Sequence, residues 1–180
     1  PSAFISYRKG LHALGGISET ELKVSQDYFT ESMRLDPDFV SPSLALGKSI
    51  WMPTIWGQTK MNPEQAFVQA NSLLATAARY APANSEVMAV KGLHALVGDW
   101  DWSRAHEYSR QAAETGSSTI PLAWYLSLVE ARYAEAESVL DDVLQRDSAR
   151  LDPLLVKAAI ARIQGDWNRS AEIYGAIENS

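Results

Sequence analysis

The chain has 180 residues, of which 46% are hydrophobic and 21% charged, and this is enough apolar content to bury a core. Its formal net charge of −6 argues against a nucleic-acid interface, because such interfaces need clustered Lys and Arg, and here both are scattered. The absence of cysteine excludes disulfides and thiolate chemistry. No apolar run reaches the roughly 20 residues that span a bilayer. We therefore expect a folded domain with no direct nucleic-acid contact and no membrane insertion.

The two ends of the sequence suggest a piece of a longer protein. The chain starts at Pro1 without an initiator Met, and it stops at Ser180 inside a helical pattern. No signal-peptide pattern opens it. A cysteine-free chain suits the cytoplasm and the periplasm alike, so the compartment stays open, with the cytoplasm slightly favoured.

The predicted elements are all helices, since no stretch alternates with the two-residue period of a strand. An apolar helical stripe runs over Ser2–Leu14, and Gly15-Gly16 breaks it. Ser18 and Glu21 then form a capping box that opens a second helix. Pro37 ends that helix, because proline cannot donate the backbone hydrogen bond that continues it. These two helices form the first predicted repeat.

The second repeat contains an irregularity. A helix is predicted to start near Ser41-Pro42 and to run through Ile50. Residues 52–62 lack a sustained period and contain Pro53, which predicts a long inserted loop. Asn62-Pro63-Glu64-Gln65 is then a start signal for a helix over residues 64–80.

Three further repeats follow the same plan. A helix over Ser85–Val97 breaks at Gly98-Asp99 and resumes near Ser103. Pro121 suits the first turn of the next repeat, and Asp152-Pro153 opens the last one. The chain is therefore predicted to hold about ten helices.

Small residues return twice in every repeat, inside the apolar helical pattern. One series recurs at intervals of 37, 45, 35 and 31 residues and the other at 45, 35, 31 and 34 residues. Small side chains let two helices approach closely, so this recurrence predicts stacked helix pairs. The first series is Gly10, Gly47, Gly92, Ser127 and Ala158, and the second is Ser25, Ala70, Ala105, Ala136 and Ser170.

With these residues in view, the chain resembles the tetratricopeptide-repeat family. Gly165-Asp166-Trp167 followed by Ser170 and Tyr174 is similar to the turn of that family, and Pro37 and Pro82 are similar to its closing proline. The resemblance implies an all-α, right-handed α-α superhelix of about five helix pairs in a single repeat domain over residues 1–180. The repeats would cover residues 2–38, 39–83, 84–117, 118–149 and 150–180.

A narrower resemblance rests on residues 98–105, which read Gly-Asp-Trp-Asp-Trp-Ser-Arg-Ala, together with residues 7–10 and 29–37. These segments are similar to the tetratricopeptide regions of bacterial signalling proteins. In that group the repeats accompany a winged-helix, nucleotide cyclase or kinase domain. The resemblance therefore implies a regulatory or sensory region of a signalling or transcription-regulatory protein.

Six tryptophans are many for this length, and their positions predict different roles. Trp100, Trp102 and Trp167 fall at inter-helix turns, where the resemblance implies burial between neighbouring repeats. Trp56 lies in the predicted loop, where we favour a lid over the core rather than a docking anchor.

Trp51 and Trp124 lie on first helices, in the register that faces the concave side of such an array. We predict that this side is a groove for a protein or peptide segment with apolar anchors and a carboxylate. The alternative, equally weighted, is that these side chains only pack against the next repeat or against another part of the protein. The predicted groove residues are Lys48, Trp51, Met52, Leu93, Val97, Trp124, Leu128 and Arg162.

Nothing in the sequence indicates catalysis, a metal site or a cofactor. His12, His94 and His106 lack ligand partners at zinc-binding spacing, and no nucleophile with its base and orienting group can be named. We expect a non-catalytic scaffold for protein–protein interaction. The alternatives are a passive spacer or oligomerisation module, for example a homodimer, and, less favoured, a fragment of an all-α carbohydrate-active enzyme.

Overall fold

A computed structural model describes residues 1–14, 18–55, 59–115, 118–148 and 150–178. All regular structure in these residues is helical, which confirms the predicted all-α class, and no strand occurs among them. No helix in these ranges has the length and apolarity needed to cross a membrane. The helices are α1 (Ser2–Leu14), α2 (Glu19–Leu35), α3 (Ser41–Ile55), α4 (Pro63–Tyr80), α5 (Ser85–Val97), α6 (Trp102–Glu114), α7 (Ile120–Leu128), α8 (Tyr133–Arg146), α9 (Leu151–Ile163) and α10 (Trp167–Glu178).

The contacts divide the chain into two compact units, Pro1–Val90 and Lys91–Ser180, whose boundary falls inside α5. In the first unit, α1 packs on α2, α2 on α3, and α3 on α4, and α1 also contacts α3. In the second unit, consecutive helices from α6 to α10 pack on one another, and α7 also contacts α9. Each unit therefore stacks its helices in chain order.

Several helix starts follow from their capping residues. The Ser18 side chain accepts a hydrogen bond from the Glu21 amide while the Glu21 carboxylate accepts from the Ser18 amide, which is the predicted capping box. Asn62 caps α4 by accepting from the amides of Glu64 and Gln65. The predicted break at Gly15-Gly16 lies outside the described residues.

The prediction of a loop over residues 52–62 is wrong for its first part, because α3 continues to Ile55 with Pro53 inside it. Proline has no amide hydrogen, so the carbonyl of Ser49 loses its partner within the helix. The side-chain amide of Gln26, on α2, donates to that carbonyl at 3.3 Å. A neighbouring helix thus replaces the missing bond, and the helix survives the proline.

All ten recurring small residues are buried, as expected for positions where helices meet. The closest approaches are at Gly10 and Gly92. A Cβ at Gly10 would lie 2.5 Å from Cε1 of Phe29, and one at Gly92 would lie 2.6 Å from Oγ of Ser109. At Gly47 the nearest atom would be the Ala70 carbonyl oxygen at 3.5 Å, which is ordinary contact.

Candidate partner-binding site

The eight predicted groove residues divide between the two units. Lys48, Trp51 and Met52 lie on α3 in the first unit, where Lys48 is exposed and Met52 half-buried. Trp51 is only 4% exposed, and its ring packs against Phe67 with 5.3 Å between centroids. Trp51 therefore belongs to the core of this unit, which corrects its placement on an open surface.

In the second unit the structure brings Val97 and Trp124 together. Both pack against one apolar cluster formed by α5, α6 and α7. Trp124 also packs against the apolar cluster between α7, α8 and α9, so its ring contacts both clusters. Leu93 lies one turn before Val97 on α5 and is likewise half-buried.

The most exposed part of the predicted groove lies on α7 and α9, which contact each other. Leu128 is 50% exposed and lies one turn after Trp124 on α7. On α9, Leu155 and Arg162 are exposed and share one stripe, because seven residues correspond to nearly two helical turns. We call these four residues, Trp124, Leu128, Leu155 and Arg162, the α7–α9 face.

Leu155 is not among the groove residues predicted from the sequence. Its signal is the pair Leu154-Leu155, because adjacent residues on a helix point about 100° apart and rarely both reach the core. Leu154 is half-buried and Leu155 is exposed. Leu151, one turn earlier on the same stripe, is also exposed and extends the apolar surface of α9.

The predicted burial of three tryptophans at turns is wrong. Trp100, Trp102 and Trp167 are 70%, 52% and 66% exposed. Trp102 and Trp167 are the first residues of α6 and α10, and side chains tilt toward the helix N-terminus, so these indoles project beyond the helix end into solvent. The predicted lid residue Trp56 lies outside the described residues.

Arg162 takes part in a contact with one of these indoles. Its guanidinium lies over the Trp167 ring, 6.0 Å from the centroid. A cation over an indole face is attracted by the negative charge density of the π system. Arg162 thus stands at the edge of the α7–α9 face, partly covered by the turn that follows α9.

The three turns within the helix pairs of the second unit share one backbone geometry. Each contains a residue with positive φ, namely Trp100 at 56°, Ala131 at 54° and Gly165 at 81°. The residue after each of these donates its amide back to a carbonyl of the preceding helix, at 2.8 to 2.9 Å. The repeat is therefore visible in the backbone at intervals of 31 and 34 residues.

Charged groups stabilise the turn between α7 and α8. Arg132 pairs with Glu130 at 2.7 Å and also with Glu135. Its hydrogen bond is the main cause that lowers the pKa of the Glu130 carboxyl. Burial, and then the hydrogen bond to Glu130, raise the pKa of the Tyr125 hydroxyl. These groups rigidify the end of α7, next to Leu128.

The described residues contain no group of three or more His, Asp or Glu side chains placed to hold a metal ion. His94 is buried, and desolvation lowers its pKa to about 4, so it is neutral at pH 7. A cavity lined by Met33, Phe39 and Tyr80, among others, has a volume of about 100 Å³. Sites for small ligands usually measure about 300 to 1,000 Å³. This cavity is therefore too small for such a ligand.

No family model matches this chain. The search of curated proteins finds no match either.

Proposed function

We propose that this chain is a non-catalytic scaffold of the tetratricopeptide-repeat type that binds a segment of another protein on the α7–α9 face. In this proposal the helix pairs form a right-handed superhelix with the first helices on its inner side. The partner segment carries apolar anchors for Leu128 and Leu155 and a carboxylate for Arg162. In this proposal the scaffold is a regulatory or sensory region of a bacterial signalling or transcription-regulatory protein, which the resemblance of residues 98–105 supports.

The pattern of helix contacts supports the superhelical arrangement. In both units first helices of neighbouring pairs touch, α1 with α3 and α7 with α9. Among the described residues, the backbones of the second helices α2 and α4, or α8 and α10, lie farther apart, and α8 meets α10 through the long side chains of Glu137 and Arg169, which pair at 2.6 Å. Helices lie closer together on the inner side of a curved stack, which favours first helices on the concave side.

The observation that carries the binding proposal is the exposure of large apolar side chains beside a well-packed aromatic ring. Leu128 and Leu155 stay exposed on two helices in contact, with Trp124 half-buried beside Leu128 on α7. Contiguous exposed apolar surface on a folded protein marks interaction sites. A rigid helical face also loses little conformational entropy on binding, which favours affinity.

The test is a peptide-library selection performed in parallel on the wild-type chain and on Leu128→Asp. We expect wild-type binders to lose affinity by at least about tenfold on Leu128→Asp, because a buried apolar contact becomes a desolvated carboxylate. Isothermal titration with individual selected peptides measures the change. Circular dichroism serves to check that the variant stays helical.

Val68→Asp is the matched control, since Val68 is an exposed apolar residue on α4 of the first unit and does not belong to the α7–α9 face. The control should bind selected peptides as the wild type does. Peptides that bind both variants equally would contradict the assignment of the face. Failure to select any peptide, together with a concentration-dependent dimer in light scattering that Leu128→Asp abolishes, would favour the homodimerisation module instead.

A further inference from the structure

The turn between α5 and α6 exposes two indoles, and one of them stands on a backbone conformation that disfavours it. Trp100 has φ of 56°, a left-handed backbone that bulky L-residues rarely adopt, and its side chain is the more exposed of the two. Trp102 follows two residues later at the start of α6. The fold therefore carries a large apolar residue where a glycine would fit better and where packing gains little.

The equivalent turn after α9 shows which chemistry such an indole accepts. There Gly165 takes the left-handed position, and Trp167, equivalent to Trp102, has the guanidinium of Arg162 over its ring. Arg162 lies three residues before Gly165, and the residue three before Trp100 is Val97. Among the described residues, no cationic group lies over the ring of Trp100 or Trp102.

The charge around the first turn complements a cation. Asp99 is exposed, and its carboxylate makes no hydrogen bond or ion pair with any described residue. The Asp101 carboxylate is already engaged, because it accepts from the Arg104 amide at 3.1 Å and lies 3.3 Å from the Arg104 guanidinium. One carboxylate and two indole faces thus remain available on residues 99–102.

We propose that the turn formed by residues 99–102 docks an arginine side chain of a partner protein segment, stacked on Trp100 or Trp102 and paired with Asp99. The planar guanidinium can stack on an indole and donate to a carboxylate at the same time, which lysine does less well. The site uses other residues than the α7–α9 face, and it carries the opposite charge. The arginine of the partner thus takes the position that Arg162 of α9 takes over the Trp167 ring within the molecule.

The experiment follows the indole N–H signals of the ¹⁵N-labelled chain by NMR, with signals assigned through single Trp→Phe variants. The probe is the capped peptide Gly-Arg-Gly-Arg-Gly, compared with the same peptide carrying norleucine in place of arginine and with cellohexaose. We expect the signals of Trp100 and Trp102 to shift with the arginine peptide, and the affinity to fall as salt rises. Equal shifts with norleucine, shifts with cellohexaose alone, or no shift would overturn the proposal.

Variants separate docking from folding. Trp100→Gly and Ala131→Gly each place glycine at a left-handed position, so both should raise the midpoint of thermal unfolding by about 2 °C. Of these two glycine variants, only Trp100→Gly should weaken the binding of the arginine peptide, by about fivefold. Trp102→Ala should weaken it by about the same factor. Ala131→Gly is the matched control, since its turn carries no exposed tryptophan. Unchanged affinity in Trp100→Gly and Trp102→Ala would refute the site.

A gain of binding provides a second test. Arg162→Gln removes the guanidinium from the Trp167 ring and leaves that indole face as available as those of Trp100 and Trp102. The Trp167 indole signal, silent in the wild type, should then respond to the arginine peptide and not to the norleucine peptide. A Trp167 signal that stays silent in the variant would contradict the idea that these turns select a cation.

Discussion

Aromatic residues on the helix stripes of the first unit and at the turns of the second unit are placed in opposite ways. In the first unit, Phe29 is fully buried, Trp51 packs on Phe67, and Tyr7 meets Phe39 edge-on at 5.2 Å between centroids. In the second unit, three tryptophans at the turns remain mostly exposed. The helical stripe places an aromatic against a neighbour, whereas a turn places it beyond the helix end. An aromatic residue in this chain therefore stabilises the fold or stays available according to its position within the repeat.

The fully buried side chains of the second unit are smaller than Phe29. Leu140 and Ile160 are its largest fully buried residues, and Ser109 is fully buried with its hydroxyl unpaired among the described residues. His94 is buried in the same unit. The contrast between the units can be tested at individual positions.

The largest expected effect is at Phe29. Phe29→Ala removes a ring that is fully buried between α1 and α2, and we expect it to lower the free energy of unfolding by about 3 to 5 kcal/mol. Trp102→Ala in the second unit should change it by less than about 0.5 kcal/mol, because the indole is half in solvent. Urea unfolding followed by circular dichroism measures both. Comparable losses in the two variants would remove the distinction between the units.

The next effect is the pH dependence contributed by His94. Its folded pKa of about 4 lies below the usual value of 6.5, because burial disfavours the charged imidazolium. Above pH 6.5 the imidazole is neutral in the folded and the unfolded protein, and the free energy of unfolding has its full value. As the pH falls toward 4, the unfolded chain binds a proton that the folded protein does not, and the free energy of unfolding falls by about 3 kcal/mol. Urea unfolding at pH 7 and pH 4.5 measures the difference. His94→Gln should show a flatter dependence, and an equal dependence in both proteins would show that His94 is not the cause.

The smallest effect sharpens the comparison within the first unit. Gly10→Ala puts a methyl group 2.5 Å from the buried Phe29 ring, and we expect a loss of about 1 to 2 kcal/mol despite the better helix propensity of alanine. Gly47→Ala meets only ordinary contacts and should gain up to about 1 kcal/mol. Thermal unfolding of the two variants measures opposite shifts. A stabilising Gly10→Ala would mean that the Phe29 ring moves freely.

The sequence determined the features that depend on neighbours along the chain. The bounds of α1 and α5 agree with the apolar stripes over Ser2–Leu14 and Ser85–Val97, and the capping box before α2 is present as predicted. Helix periodicity and capping arise from residues within one or two turns of each other, so a single sequence is enough to predict them. The recurrence of small residues also predicted where helices meet, because only small side chains permit close approach.

The tertiary structure alone decided the features that depend on residues distant in sequence. Helix α3 passes through Pro53 because Gln26 on another helix satisfies the Ser49 carbonyl, and no local pattern encodes that bond. The same holds for the candidate site, where Trp51 is buried by its packing on Phe67 and Leu128 remains exposed beside Trp124. Exposure follows from which helices pack against a given face, and that choice is made only when the chain folds.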